Sequence, residues 1–510
     1  MKKIAYVASV VLLALMSACS SVNENLEKMI PAEATGVVSI DVPAIMKKAL
    51  LAGDDGIALP DDLTAVMDDN DASPLCQALT DLPVMGINAD AKAFAFFTDK
   101  TFAATLLVPL TDESAARRTI ASRMGEDFSE VDGLSCLSVA DKFFAVHDGV
   151  LMAARVNKNA ELSRLAKAAR TMFDRKSRSV LDVDDMKECL AEQGDVNGYF
   201  QLKCIKSLLK GSKTYRELAQ RLPLVEIFTE SDIDAVTCKL TLNEKDADLE
   251  THFKVSESSD YIKLMNATMS SPDSKVLKVI PSSMDYVLSM SVKGDQLVQL
   301  PQIEQLLGMF AKLPHIGKFD LKGMLSTIDG PVAVSMAPDP YLEGDWNGVI
   351  AASSKQPDEV VSTIASFAMA LGQAPELYDN EYVYQYENKM IKVGVNEGVI
   401  YLKMLNYEQT EGYASDNATL NTLFASSPMA ITIKTKAGKN DARFSYGLTN
   451  HVDGHGTFVP ADSESSATLA LLKALCGIRP ASAYDDMLDP ADDQETPDYL
   501  PEGVKLKPVR

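Results

Sequence analysis

The chain has 510 residues, 46% hydrophobic and 24% charged, with 72 acidic against 49 basic side chains and a net charge of -23. That apolar share is ordinary for a globular protein, and the length predicts more than one domain at ~150 residues each. So acidic a balance excludes a nucleic-acid or anionic-lipid surface, because the lysine and arginine patches that neutralise phosphates are missing.

In chain order, the first predicted element is an export leader over residues 1–18. Lys2 and Lys3 supply its positive end, Ile4 to Met16 is apolar apart from Ser9 and the Tyr6 hydroxyl, and Ser17-Ala18 offers small residues before a cut. A run of about a dozen apolar residues falls short of the ~20 that span a bilayer as a helix, so the segment reads as a signal and not a permanent span. Cys19 follows at once, and Leu15-Met16-Ser17-Ala18-Cys19 resembles a bacterial lipobox, with Met16 where leucine is usual. The resemblance implies a diacylglycerol on the Cys19 thiol and a third acyl chain, palmitate or its like, on its amine. Two or more chains anchor stably where one is marginal. Residues 19–29 form a short polar tether, Ser20-Ser21-Val22-Asn23-Glu24-Asn25, without the acidic run that resembles a surface-export signal. The expected address is the outer membrane with a periplasm-facing body, the cell surface being the alternative.

An internal repeat organises the rest. Ile30-Pro31-Ala32-Glu33-Ala34-Thr35-Gly36-Val37-Val38-Ser39-Ile40 recurs from Ile280 as Ile280-Pro281-Ser282-Ser283-Met284-Asp285-Tyr286-Val287-Leu288-Ser289-Met290. Each reads as a proline turn, a strand and then a helix, and the order downstream agrees. Strands over Ala93–Phe97 and Phe102–Val108 precede a helix from Asp112 to Met124; strands over Val332–Met336 and Gly348–Ala352 precede a helix from Asp358. A hairpin follows in both, turning at Asp148-Gly149 and at Glu397-Gly398, where glycine supplies positive φ. Closing hairpins are predicted over Ile233–Leu242 with Ala247–Val255, and over Arg443–Thr449 with Thr457–Val459. The first copy is longer, and helical periodicity at Leu162, Leu165, Ala166, Ala169 and Phe173 puts a helical insertion near 158–190. The expected fold is therefore α+β: two tandem copies of one unit, 30–275 and 276–479, mainly antiparallel because the strands come in short-turn pairs. The tail 480–510, with Asp485-Asp486, Asp489-Pro490, Asp492-Asp493 and Pro497, reads as acidic and disordered.

The lipobox, the Ile30-Pro31-Ala32-Glu33-Ala34 opening and the second isoleucine-proline strand together resemble an uncharacterised two-lobed lipoprotein family of Bacteroidetes-type bacteria. That resemblance implies an exported α+β protein and no assigned activity or catalytic residue.

Candidate chemistry is sparse. Nucleophile-elbow, phosphate-loop, paired-cysteine zinc and His-Glu metalloprotease motifs do not occur. His451 and His455 flank Asp453-Gly454 in a predicted turn, without an evident third zinc ligand. Asp68-Asp69-Asn70-Asp71 begins like a calcium loop but meets Pro74 where glycine belongs and Thr80 where glutamate belongs, so it reads as a helix N-cap cluster. Asp54-Asp55 and Asp61-Asp62 read as solvated loop charge. Trp346, the one tryptophan, reads as a loop or core residue; Tyr378, Tyr382, Tyr384 and Tyr386 alternate in part, setting three rings on one strand face, which packing explains as well as binding does. Beyond Cys19, six cysteines remain (Cys76, Cys136, Cys189, Cys204, Cys238 and Cys476); an even number allows disulfides, but the apolar neighbours of Cys238 and Cys476 suit small core thiols. No cofactor and no metal are expected. The sequence supports a non-enzymatic envelope lipoprotein that touches the membrane through Cys19 and serves as a scaffold for an envelope protein or small ligand. An envelope hydrolase built from carboxylates and the His451 loop is the alternative.

Overall fold

Alternating apolar residues and tight turns dictate an antiparallel sheet. At Asp148-Gly149 both residues have positive φ (48° and 70°), as do Glu397-Gly398 (48° and 82°). Two successive left-handed residues make the turn whose twist matches that of the flanking strands. The computed structural model describes residues 26–476 apart from 50–51, 54–55, 58–59, 69–80, 82–83, 157–159, 176, 211–231, 313–319, 340–344, 371, 379, 387–388, 406–411, 438–439 and 462–465.

The first half contributes β1 (Gly36–Ile40), a separate short pair β2 (Ala52–Gly53) and β3 (Gly56–Ile57), then β4 (Ala93–Phe97), β5 (Ala104–Pro109), β6 (Ser129–Val131), β7 (Leu134–Val139), β8 (Lys142–His147), β9 (Val150–Arg155), β10 (Val196–Gln201), β11 (Ala235–Leu242) and β12 (Ala247–Lys254). The second half contributes β13 (Tyr286–Lys293), β14 (Ile328–Pro338), β15 (Trp346–Ser354), β16 (Glu376–Tyr378), β17 (Glu381–Tyr386), β18 (Lys389–Asn396), β19 (Val399–Leu405), β20 (Met429–Ala437), β21 (Asn440–Leu448) and β22 (Asp453–Pro460). Apart from β2 and β3 they form one 20-stranded sheet. Across the first half, every pairing antiparallel, the order is β6-β7-β8-β9-β5-β4-β1-β10-β11-β12. It continues as β22-β21-β20-β13-β14-β15-β19-β18-β17-β16, again antiparallel. The halves meet where β12 pairs with β22, from Ala247 opposite Phe458 to His252 opposite Asp453.

Helices pack on both faces without covering all of either, so the protein is α+β and mostly antiparallel sheet. Asp41 caps the helix Val42–Lys48 by accepting from Ala44 N, and Asp112 caps Glu113–Met124 by accepting from Ser114 N and Ala115 N. Under one face of the first half, Phe94, Phe96 and Phe143 are fully buried with Leu165, Ala166 and Ala169 of the helix Leu162–Phe173. Each such ring contributes roughly 1.5–3 kcal/mol by leaving water. On the other face Val38, Ile40, Leu106 and Leu151 share a core with Leu469, Ala470 and Leu472 of the last helix, Ala467–Cys476. That helix therefore crosses the junction onto the first half, and Ser466 Oγ donates to the Lys48 carbonyl at 2.5 Å. Reciprocally, Tyr261 and Met265 of the helix Asp260–Thr268 share a core with Val292, Ile328 and Val360 of the second half.

Several local expectations change. Asp61 and Asp62 open the helix Asp61–Asp68 instead of lying in a loop, and Asp68 is its last residue; Asp69 to Thr80 and Asp54-Asp55 lie outside the described residues, as do Cys19, Cys76 and the 480–510 tail. Trp346 is neither loop nor core: it starts β15 on an exposed face, its ring 6.3 Å from that of Tyr286. Tyr384 is buried and Tyr382 packs beside it, whereas Tyr378, on β16, is exposed.

Candidate functional site

On one face of β20, β21 and β22 the register sets out a grid of nine positions. Lys434 lies opposite Arg443 and Arg443 opposite Val459; Thr432 opposite Ser445 and Ser445 opposite Thr457; Ala430 opposite Gly447 and Gly447 opposite His455. Directly opposed residues share a face, so their side chains stand together. Over this grid lies the helix Ala418–Ser426. Asn417 starts it, its Oδ1 accepting from Leu420 N at 3.1 Å. Leu420 and Phe424 bury into the core, leaving Thr419, Thr422, Leu423 and Ser426, spaced for one helical face, toward the strands. Between helix and strands is a cavity of about 780 Å³, within the usual range for small-molecule sites.

The cavity is polar where the strands form its wall. Thr432 Oγ1 and Ser445 Oγ are hydrogen-bonded at 3.1 Å, and Arg443 Nη1 donates to Thr432 Oγ1 at 3.4 Å. Burial pulls the Arg443 guanidinium below its ordinary value, opposed by the charge of Asp285. Lys434 donates to the Ser282 carbonyl at 3.0 Å and lies 4.0 Å from Asp285. At the junction end, His455 Nε2 is 3.7 Å from Asp248 Oδ1, to which Thr457 Oγ1 donates at 3.5 Å. Ser427 lines the cavity with a buried Oγ that has no hydrogen-bond partner among the described residues. Gly447 lets the helix end come close: a Cβ there would overlap Ser427 Oγ and lie 2.8 Å from Leu423 Cδ1. Arg443 also lines a second cavity of about 250 Å³, beside Pro281, Tyr413 and Asn417.

The residues singled out in the 450–456 segment do not share partners. His451 has φ 70°, its carbonyl accepts from Tyr261 OH at 2.7 Å, and its buried Nδ1 is unpartnered among the described residues. Burial, then Lys293, holds its imidazole below the ordinary range. Asp453 bonds instead to His252 Nδ1 at 2.6 Å and accepts from Asn450 Nδ2 at 2.6 Å. Only His455 reaches the cavity. Among the described residues no three His, Cys, Asp or Glu side chains are grouped to hold a metal ion. Cys136, Cys189, Cys204 and Cys238 are free thiols; burial pushes Cys136 and Cys189 up to about 12 and Cys238 up to about 11. Such thiols stay protonated and unreactive.

Arg443 went unnoticed in the sequence because one arginine in an alternating strand reads as solvent-facing. The available signal was the alternation itself: Ala442, Phe444 and Tyr446 claim one face, which forces Arg443 and Ser445 onto the other, over Thr432.

No family model matches the chain, and no curated protein matches it. Among solved structures, crystal form I of TP0453 is similar at 11% identity and a TM-score of 0.28, over 44% of this chain and 77% of that one. Crystal form III of TP0453 gives 10% identity and a TM-score of 0.31, over 48% and 86%.

Proposed function

We propose that the chain is an envelope-anchored lipoprotein, acylated at Cys19, that binds a small ligand without chemistry in the cavity beneath the helix Ala418–Ser426. The observation that carries the reading is that cavity: about 780 Å³ beneath the helix Ala418–Ser426, mostly apolar in surface with hydroxyls and one guanidinium set into it. The family resemblance and the outer-membrane address rest on the lipobox and the Ile-Pro strands, and belong to the same proposal.

The two halves are read as unequal copies of one unit. Three features support this. The strand order is palindromic about β12 and β22. Pro31 bridges Ser179 as Pro281 bridges Tyr413. In each of those turns the backbone N–H donates to the aspartate three residues on, Ser179 N to Asp182 and Tyr413 N to Asp416, both at 2.8 Å. Under this reading the insertion narrows to the helix Leu162–Phe173 and the turn after it, because the helix Asp184–Ala191 leads into β10 as Ala418–Ser426 leads into β20.

Two measurements test the proposal. Cys19→Ala should abolish palmitate labelling and release the protein from the membrane fraction; labelling that persists would refute acylation there. Native mass spectrometry of the purified chain should reveal a bound small molecule that Thr422→Trp, which projects an indole into the cavity, displaces. An identical mass profile for both proteins would overturn the ligand site.

A further inference from the structure

Resting on that cavity as a ligand site, we infer its ligand class: a small organic monocarboxylate, anchored by the Arg443 guanidinium, with its body against the hydroxyls and the Leu423 and Val459 side chains. A guanidinium carries five N–H donors in a planar fork that fits a carboxylate. Thr432 Oγ1, at 3.4 Å, is the one hydrogen-bond acceptor Arg443 has among the described residues. The group is half-buried and lines both cavities, so a ligand entering either can meet its remaining donors. Ser427 Oγ, buried and unpartnered in the same wall, is a second polar atom awaiting a partner.

Donor counting sets the valence. Lys434 lies 4.0 Å from Asp285 and is held on the Ser282 carbonyl. The other ionisable groups are Asp441 at the rim, His455, which faces Asp248, and Asp416 in the second cavity. These carboxylates balance the two cations, so recognition rests on the single guanidinium fork, which suits one carboxylate and is too little for a phosphate dianion, which would require further donors. The ligand's body meets hydroxyls beside Leu423 and Val459, so an acylated amino acid is a suitable probe: amide for hydroxyls, side chain for the apolar wall, carboxylate for Arg443.

Isothermal titration of the full chain with N-acetyl-leucine and N-acetyl-leucinamide, which differ only in the carboxylate, tests this. The acid should bind at least about tenfold more tightly, the usual worth of a charge-assisted bond. Arg443→Gln should reduce the acid to the level of the amide while leaving the amide unchanged, and Arg443→Lys, which keeps charge but loses the fork, should fall between. Equal binding of acid and amide to the unaltered chain needs no variant to interpret and overturns the carboxylate inference while leaving the cavity in use. Absence of binding by both at millimolar concentration also overturns it, and the mass-spectrometric comparison with Thr422→Trp then decides separately whether the cavity holds a ligand at all.

Discussion

Tyr199 and Thr432 stand at the same register position in the two halves, and what surrounds them differs. Val37 of β1 lies opposite Tyr199, and Val287 of β13 opposite Thr432. One strand further, Ala235 lies opposite Gln201 where Arg443 lies opposite Lys434. In the first half a phenol ring and a methyl group fill the space, both inside the core. In the second half a fully buried threonine holds a guanidinium, and that guanidinium lines the cavity. The opposite sheet face shows a second contrast. Val38, Ala95 and Leu106 are 2%, 0% and 4% exposed, whereas Leu288, Val334 and Ile350, at matching positions of β13, β14 and β15, are 50%, 41% and 51% exposed. One plan of pairing thus supports a filled, structural half and a half with open surfaces, and ligand binding is to be sought in the latter.

Exchanging the residues that make the difference should have unequal effects. Tyr199→Thr removes a buried ring from a packed site and should destabilise the protein by about 2–4 kcal/mol. Thr432→Tyr overpacks a fully buried position behind the cavity wall and should cost about 1–3 kcal/mol, its ring reaching the cavity only by displacing Arg443. Urea midpoints for the two variants measure this; equal losses would show that the second half is as tightly filled as the first.

At the junction the halves solve one packing problem in opposite ways. The closing strand β12 carries Leu249 opposite Leu240 and Thr251 opposite Cys238 of β11, whereas β22 carries Gly454 and Gly456 beside Phe444 and Tyr446 of β21. Gly454 is required by close approach: a Cβ there would overlap the Tyr446 hydroxyl and lie 2.5 Å from Thr251 Oγ1. Those two oxygens share the 2.6 Å hydrogen bond that ties β12 to β21 across β22. Gly454→Ala should therefore cost about 1–3 kcal/mol. Leu249→Ala, opposite Leu240, relieves no overlap and should cost only its lost burial. A thermal-melt comparison in which Gly454→Ala is neutral would break the contrast.

Much of this architecture was legible beforehand because it rests on local chemistry. Asp148-Gly149 and Glu397-Gly398 announce their hairpins, Asp112 its helix, and Ile30-Pro31 and Ile280-Pro281 the start of each half. What escaped depended on contacts between distant segments. Nothing near Ala247 says that it will lie opposite Phe458, so the joining of the halves into one sheet, and the crossing of Ala467–Cys476 onto the first half, could not be read from periodicity. The His451 segment drew notice for its spacing, yet Asp453 bonds to His252, a residue 201 positions away. Arg443 was invisible for the converse reason: its strand was predicted, but the helix that shelters it arrives from elsewhere in the chain.

The smallest expected effect concerns the pH response of that junction. Asp453 is held below the ordinary carboxylate range, first by the hydrogen bond from His252 and then by that from Asn450. A depressed carboxylate contributes stability that is fully present above its unfolded value of ~3.9 and is lost as pH falls through its lower folded value. Both partners are about half exposed, at 50% and 47%, so solvent screens the pair and its worth should not exceed ~0.5 kcal/mol. Asp453→Asn should accordingly leave the urea midpoint nearly unchanged at neutral pH and flatten its decline slightly between pH 5 and 3, an effect that added salt diminishes. A flattening several times larger would mean that the ion pair, and not the backbone ladder with the two crossing helices, holds the halves together. With only a half-exposed carboxylate at stake, the continuous ladder from Ala247 to His252 and the buried Leu469, Leu472, Tyr261 and Met265 are expected to bear the greater share.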